Sequence, residues 1–166
     1  DIRQYLEAEN SYTAGVLAPT ECLQDELFRE MKGRIKEDDS TVPAPDGPYL
    51  YYQRFEIGTQ HPIFCRRPAA DGSAEQVLLD GNVEAKGQAF FRIVSSRHAP
   101  DHRLLAWSAD RKGSEFYTLH IRDLATGADL GERIENAQGD IAWSNDGKTL
   151  FYTLLDEHHQ IGRAHV

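Results

Sequence analysis

Chemistry in this chain would have to come from scattered serines, histidines, acids and arginines, so their spacing decides. A serine nucleophile elbow needs Gly-x-Ser-x-Gly between a strand and a helix, which stands the hydroxyl beside its oxyanion donors. No such pentapeptide occurs. Gly72-Ser73 and Gly113-Ser114 lack the second glycine and fall in expected turns, where both residue types serve turn geometry. His61, His98, His102 and His120 show no metal-ligand spacing. His158-His159 are adjacent, which sends their side chains different ways. Surface histidines are the expectation for these six positions. Glu37-Asp38-Asp39 lacks the alternating ligands and central glycine of a calcium loop and reads as a solvated linker. Arg66-Arg67, on a strand, point to opposite faces; one of them could line a channel or pair with the acidic linker, but ordinary exposed arginines are expected. Glycine-rich phosphate loops are absent. The chain is therefore expected to hold no catalytic, cofactor-binding or metal-ligating residue, and no cofactor.

The composition sets outer bounds. The chain has 166 residues, 40% hydrophobic and 27% charged, which is enough for one soluble domain with a real core. A formal net charge of −9 argues against nucleic acid or an anionic membrane as partner, since both attract basic surfaces. No apolar run approaches the roughly 20 residues of a membrane span. The opening Asp1-Ile2-Arg3-Gln4 has neither Met nor an apolar signal region, so the true N-terminus is expected upstream. Cys22 and Cys65 lie in different expected elements, which favours free thiols in a reducing compartment.

The elements that would position these side chains read as two helices and then strands. Ile2, Tyr5, Leu6, Tyr12 and Val16 recur at mostly helical spacing up to Pro19. Thr20 could cap a second helix with Leu23, Leu27, Phe28 and Met31 as its apolar stripe, and Gly33 could stop it. Such a pair cannot bury both stripes alone and needs something to dock on. Strands are expected over 49–56, 63–67, 77–79, 90–94, 104–108, 116–122, 130–133, 141–143 and 149–155. Gly58-Thr59-Gln60 marks a hairpin, Asp80-Gly81-Asn82 a strand stop, and Asp123-Leu124-Ala125-Thr126-Gly127 a turn.

A repeat organises the strands. Turn, Leu at plus four and aromatic at plus six recur from Asp101 (Leu105, Trp107) and Asp146 (Leu150, Tyr152). Asp46-Gly47-Pro48-Tyr49-Leu50-Tyr51-Tyr52 is a weaker third copy. The spacings of about 45 and about 55 residues sit near the roughly 40–50 residues of a four-stranded propeller blade. Unrelated hairpins of a β-sandwich would use the same turn chemistry and stand as the alternative. The expected fold is mainly β: a helical segment over 1–39, then the first two to three blades of an incomplete propeller over 40–160.

These residues resemble the prolyl oligopeptidase family of serine peptidases, in its oligopeptidase B branch. Tyr5-Leu6-Glu7-Ala8-Glu9-Asn10, Met31-Lys32-Gly33-Arg34-Ile35-Lys36-Glu37-Asp38-Asp39-Ser40 and the Asp46 turn carry the likeness. Cys65-Arg66-Arg67, Leu79-Asp80-Gly81-Asn82, Pro100-Asp101-His102-Arg103-Leu104-Leu105-Ala106 and the Asp123 turn extend it, in order, as far as Asp156. The resemblance implies a seven-bladed propeller over the mouth of an α/β-hydrolase domain, with the helices packed on that domain. It also implies a cytoplasmic enzyme cutting short peptides after Arg or Lys through a Ser-His-Asp triad outside this chain. The chain would then supply docking helices and part of the substrate-gating propeller, and would be inactive alone. A non-catalytic propeller module binding protein or peptide is the alternative, and a Gly-x-Ser-x-Gly elbow further along the reading frame would discriminate. The resemblance fails at Ile161-Gly162-Arg163-Ala164-His165-Val166, which a widely used sequencing adapter encodes in one frame. Residues 161–166 are accordingly expected to be an assembly artefact.

Overall fold

The computed structural model of the chain describes residues 1–70 and 74–158, together with the backbone of 161–165. Two units emerge, Asp1–Glu37 and Asp38–Val166.

The first unit is the expected helix pair, α1 (Ile2–Leu17) and α2 (Glu21–Gly33), joined by a 3-10 turn over Ala18–Thr20. Pro19 fits there because an early turn position needs no backbone donor. Thr20 holds the N-cap position without capping: its backbone is already near-helical, so the hydroxyl donates back to the Leu17 carbonyl (2.7 Å) and accepts from Gln24 Nε2 (2.8 Å). Gly33 likewise does not stop α2 by a left-handed turn; the Arg34 N–H bonds back to the Met31 carbonyl at 3.2 Å. No residue of α1 or α2 is buried, and the stripe residues Tyr5, Leu6, Leu23, Leu27, Phe28 and Met31 are all exposed.

The second unit is built of antiparallel neighbours. β1 (Ala44–Asp46), β2 (Tyr49–Arg54), β3 (Ile63–Pro68) and β4 (Gln76–Asp80) form a four-stranded meander. A short helix α3 (Gly81–Glu84) follows, opened by the Asp80 carboxylate accepting from the Asn82 N–H at 2.8 Å. β5 (Arg92–His98), β6 (Leu104–Asp110), β7 (Tyr117–Asp123), β8 (Asp129–Trp143), β9 (Leu150–Leu155) and β10 (Ile161–His165) form a six-stranded meander. β10 pairs with β9 through a register shift; that pairing is a matter of backbone and carries no information about where its codons came from.

Two expectations needed revision here. The strand expected over 90–94 begins later, at Arg92, because Phe91 leaves the ladder to fill the core. The strands expected over 130–133 and 141–143 are one strand, β8. Its register shifts between Ala137 and Ile141, where Gly139 adopts φ +111°. That irregularity lets the first half of β8 pair with β7 and the second half with β9, so the sheet bends rather than breaks.

The core explains why β6 is buried along nearly its whole length. Leu105, Trp107 and Ala109 face one side and pack with Leu78 and Leu79 of β4, so they seal the four-stranded sheet against the six-stranded one. Ala106, on the other side, packs with Leu119, Ala137, Ile141 and Leu150. Period-two alternation thus feeds two successive cores from one strand, as stacked propeller blades require. The sequence repeat is also a structural one. The Arg103 N–H bonds to Asp101 Oδ1 and the Lys148 N–H to Asp146 Oδ1, each at 3.0 Å. The His102 N–H reaches the Ala99 carbonyl (2.8 Å) as the Gly147 N–H reaches that of Ser144 (2.9 Å). Gly47, His102 and Gly147 share a left-handed backbone with φ of 52°, 61° and 68°. Leu105 and Leu150 are both buried, in the first and second cores respectively.

Candidate functional site

The hairpin turns decide which polar side chains meet. The β2–β3 hairpin places Arg66 opposite Tyr51, and the β6–β7 hairpin places His120 opposite Trp107. Arg66 is therefore not an exposed arginine. It is 6% exposed, lies over the Tyr49 ring at 4.1 Å, and donates to Gln76 Oε1 (2.8 Å) and to the His102 carbonyl (2.6 Å). Its role is to tie the four-stranded sheet to the turn of the next one. Arg67, on the opposite face as expected, lies 5.9 Å from the Tyr52 ring.

The histidines also depart from expectation. His61, His98, His102 and His120 are all at least half-covered, and of the five that are described only His158 is exposed. His159 lies outside the described residues. His98 stacks on Tyr51 at 3.8 Å, with Nε2 2.8 Å from Asp46 Oδ2, and His102 Nδ1 meets the Tyr51 hydroxyl at 2.9 Å. Aromatic contacts between neighbouring blades, rather than solvent, surround them. His61 packs edge-on against Phe91, with ring centroids 5.3 Å apart. His120 is buried, stacks on Trp107 at 4.4 Å, and has Nδ1 3.9 Å from Asp129 Oδ2. Burial, assisted by Arg111 and Arg133 against an opposing pull from Asp129, holds its imidazole below the ordinary histidine range and therefore neutral at pH 7.

Around that stack lies a cleft of about 560 Å³ whose wall includes Glu84, Arg111, Lys112, His120, Asp129 and Arg133. Arg122 locks one side of it, donating to Asp129 Oδ1 (2.6 Å) and Glu84 Oε1 (2.8 Å). Gly113-Ser114 is a turn, as expected, and its architect is the buried Asp110. That carboxylate accepts from the N–H groups of Lys112 (2.8 Å), Gly113 (2.9 Å) and Glu115 (2.9 Å). Burial pushes the Asp110 carboxyl up, but the backbone donors outweigh it and hold the group below the usual carboxylate range. Gly72-Ser73 lies outside the described residues.

Among the described residues no serine hydroxyl is hydrogen-bonded to a histidine; the buried Ser108 Oγ donates to the Gly139 carbonyl at 2.9 Å. The Cys65 thiol is pushed up to about 12, chiefly by burial and then by Glu75, which keeps it protonated and unreactive. No group of three or more His, Cys, Asp or Glu among the described residues could hold a metal ion. The acidic linker is only partly solvated: the Phe55 N–H bonds to the Asp39 carbonyl at 2.8 Å, and Ser40 bridges to Arg54.

Comparison with known proteins gives a consistent picture. The family model described as "Prolyl oligopeptidase, N-terminal beta-propeller domain" matches residues 1–164. Dipeptidyl aminopeptidase BI of Pseudoxanthomonas mexicana is 37% identical over 98% of this chain and 25% of its own length. Protease 2 of Moraxella lacunata is 32% identical over 96% of this chain and 24% of its own. The solved structure of oligopeptidase B from Leishmania major superposes with a TM-score of 0.88 at 31% identity, covering 99% of this chain and 24% of that one. The chain thus spans about a quarter of the length of the proteins it matches.

Proposed function

The chain belongs to the prolyl oligopeptidase family, as its N-terminal β-propeller part, and we propose that the complete protein is a serine oligopeptidase hydrolysing short peptides after Arg or Lys. The observation that carries this reading is the match over residues 1–164, whose strands form stacked blades. In the proposal, a serine outside residues 1–166 attacks the peptide carbonyl, a histidine moves the proton, an aspartate orients that histidine and backbone donors hold the oxyanion. The propeller restricts access to peptides small and flexible enough to reach the enclosed site. The exposed apolar stripes of α1 and α2 support a role in docking on the hydrolase domain. A cytoplasmic location accords with Cys22 and Cys65 both being free thiols.

A second reading has a specific support. The relative at 37% identity is named a dipeptidyl aminopeptidase, so release of dipeptides from a free N-terminus is the competing specificity. The test is to express the uninterrupted reading frame and assay N-blocked Arg and Lys peptides beside free dipeptidyl substrates. Cleavage of the blocked peptides, with labelling by a serine-directed phosphonate, is the expected result. Turnover confined to free N-termini would favour the second reading. A frame without a Gly-x-Ser-x-Gly elbow would leave the non-catalytic binding module.

A further inference from the structure

The cleft beside Trp107 and His120 holds charges that the fold leaves unused. Its acids are already engaged. Glu84 takes Arg122 at 2.8 Å and Arg111 at 3.5 Å; Asp129 takes Arg122 at 2.6 Å and the Trp107 Nε1–H at 3.3 Å. Glu135 accepts from the Thr118 hydroxyl at 2.8 Å. The cations are not balanced in the same way. Among the described residues neither Lys112 nor Arg133 has a carboxylate within ion-pair reach. Arg111 has only the long 3.5 Å ion pair to Glu84, beside a hydrogen bond to the Glu84 carbonyl at 3.2 Å and ring contacts to Phe91 (5.1 Å) and Trp107 (5.9 Å). His120 adds a second unsatisfied feature: it is 5% exposed, yet its Nε2 has no hydrogen-bond partner among the described residues. Buried polar atoms are usually paired, and the exceptions call for a reason. An excess of unpaired cations is also unusual here because the chain as a whole carries a net charge of −9.

We propose that this cleft, bounded by α3, the β6–β7 turn, β7 and β8, binds a small oxyanion ligand, phosphate- or carboxylate-bearing, on Arg111, Lys112 and Arg133. Arginine forks match the geometry of either oxyanion, and lysine adds a point charge. The volume of about 560 Å³ is that of a small-molecule site and exceeds what a single phosphate fills, so the ligand carries more than one anionic group or an additional polar body. The Asp110-bound turn holds Lys112 rigidly in place, because its own backbone N–H is one of the donors to that carboxylate. The Trp107–His120 stack, with the Arg122 guanidinium 5.4 Å from the Trp107 ring, gives the cleft a stiff floor.

His120 makes the site sensitive to pH. Asp129 and Arg133 act on it from β8, Glu84 from α3 and Arg111 from the β6–β7 turn. An anion in the cleft offsets the two arginines that oppose imidazolium, so binding should draw a proton onto His120 and tighten as pH falls into the ordinary histidine range.

The experiment is calorimetric titration of the complete protein with inorganic pyrophosphate and, in a parallel arm, with citrate. Saturable binding of either supports the site, and the tighter probe assigns its chemistry to phosphate or to carboxylate. Arg133→Gln and Lys112→Gln, both at exposed positions, should each weaken it by about tenfold without altering the melting temperature. His120→Gln should abolish the proton uptake seen when buffers of different ionisation enthalpy are compared. Binding of neither probe in the millimolar range, or binding that both cation variants leave unchanged, would overturn the proposal. No turnover is read, so failure here would leave the peptidase reading intact.

Discussion

The repeat makes a quantitative prediction at two glycines that occupy equivalent turns. Gly47 and Gly147 both have left-handed φ, 52° and 68°. Alanine in that region costs about 1–2 kcal/mol wherever it is placed. At Gly147 nothing is added, because a Cβ would sit 3.6 Å from Pro100 Cδ, an ordinary contact. At Gly47 the same Cβ would lie 2.4 Å from His102 Nε2 and 3.1 Å from Cε1. The ring would have to retreat by about 1 Å to regain normal separation. It cannot do so freely, since Nδ1 is held by the Tyr51 hydroxyl at 2.9 Å and the ring lies edge-on to Tyr49 at 5.5 Å. Losing that hydrogen bond costs about 1 kcal/mol, and disturbing the aromatic contact costs about 1 kcal/mol more. Gly47→Ala should therefore destabilise by about 3–4 kcal/mol and Gly147→Ala by about 1–2 kcal/mol. In a His102→Gly background the Gly47→Ala cost should fall to the Gly147 value, a coupling of about 2 kcal/mol. Urea midpoints of the complete protein and its variants measure this. Equal costs at the two glycines, or no relief from His102→Gly, would refute the argument that adjacent blades are keyed together through His102.

Two further outcomes follow from the same geometry. Asp110 has a folded-state pKa below its unfolded value of about 3.9, so its contribution is complete above that pH and is lost as pH falls through the folded value. Asp110→Asn should cost about 1–3 kcal/mol at neutral pH, and the gap to the parent in thermal melts should close below about pH 4. The 166-residue chain alone should melt broadly and bind a hydrophobic dye, because Val42 (88% exposed), Phe28 (63%) and Met31 (60%) leave apolar surface open. It should also take no label from a serine-directed phosphonate; a sharp two-state melt or labelling at Ser114 would contradict this reading.

Much of the fold was legible because it rests on local rules. The Asp-Gly, Asp-His and Asp-Gly turns at Gly47, His102 and Gly147 have the same backbone because each must reverse a strand with a left-handed residue. The leucines four places after each aspartate follow from period two. What escaped were the polar side chains, because their burial depends on which blade covers them. A signal for two of them was nevertheless present. Once Gly58-Thr59 and Gly113-Ser114 are taken as hairpin centres, symmetric counting puts Tyr51 opposite Arg66 and Trp107 opposite His120, the pairs observed. An arginine or histidine opposite a large aromatic on a covered face will be held by it, so default exposure was the wrong expectation for Arg66 and His120. The ties between sheets were not legible in that way. Arg66 to the His102 carbonyl and Arg122 to Glu84 join residues whose separation reflects no periodicity, only the stacking of one sheet on the next. His102 is the exception that shows where to look. In the aligned copies it is the one turn position that is not glycine, and a residue that accepts a left-handed backbone where its counterparts avoid the strain is supported by contacts elsewhere. Here those contacts are Tyr49, Tyr51 and Gly47 of the preceding blade.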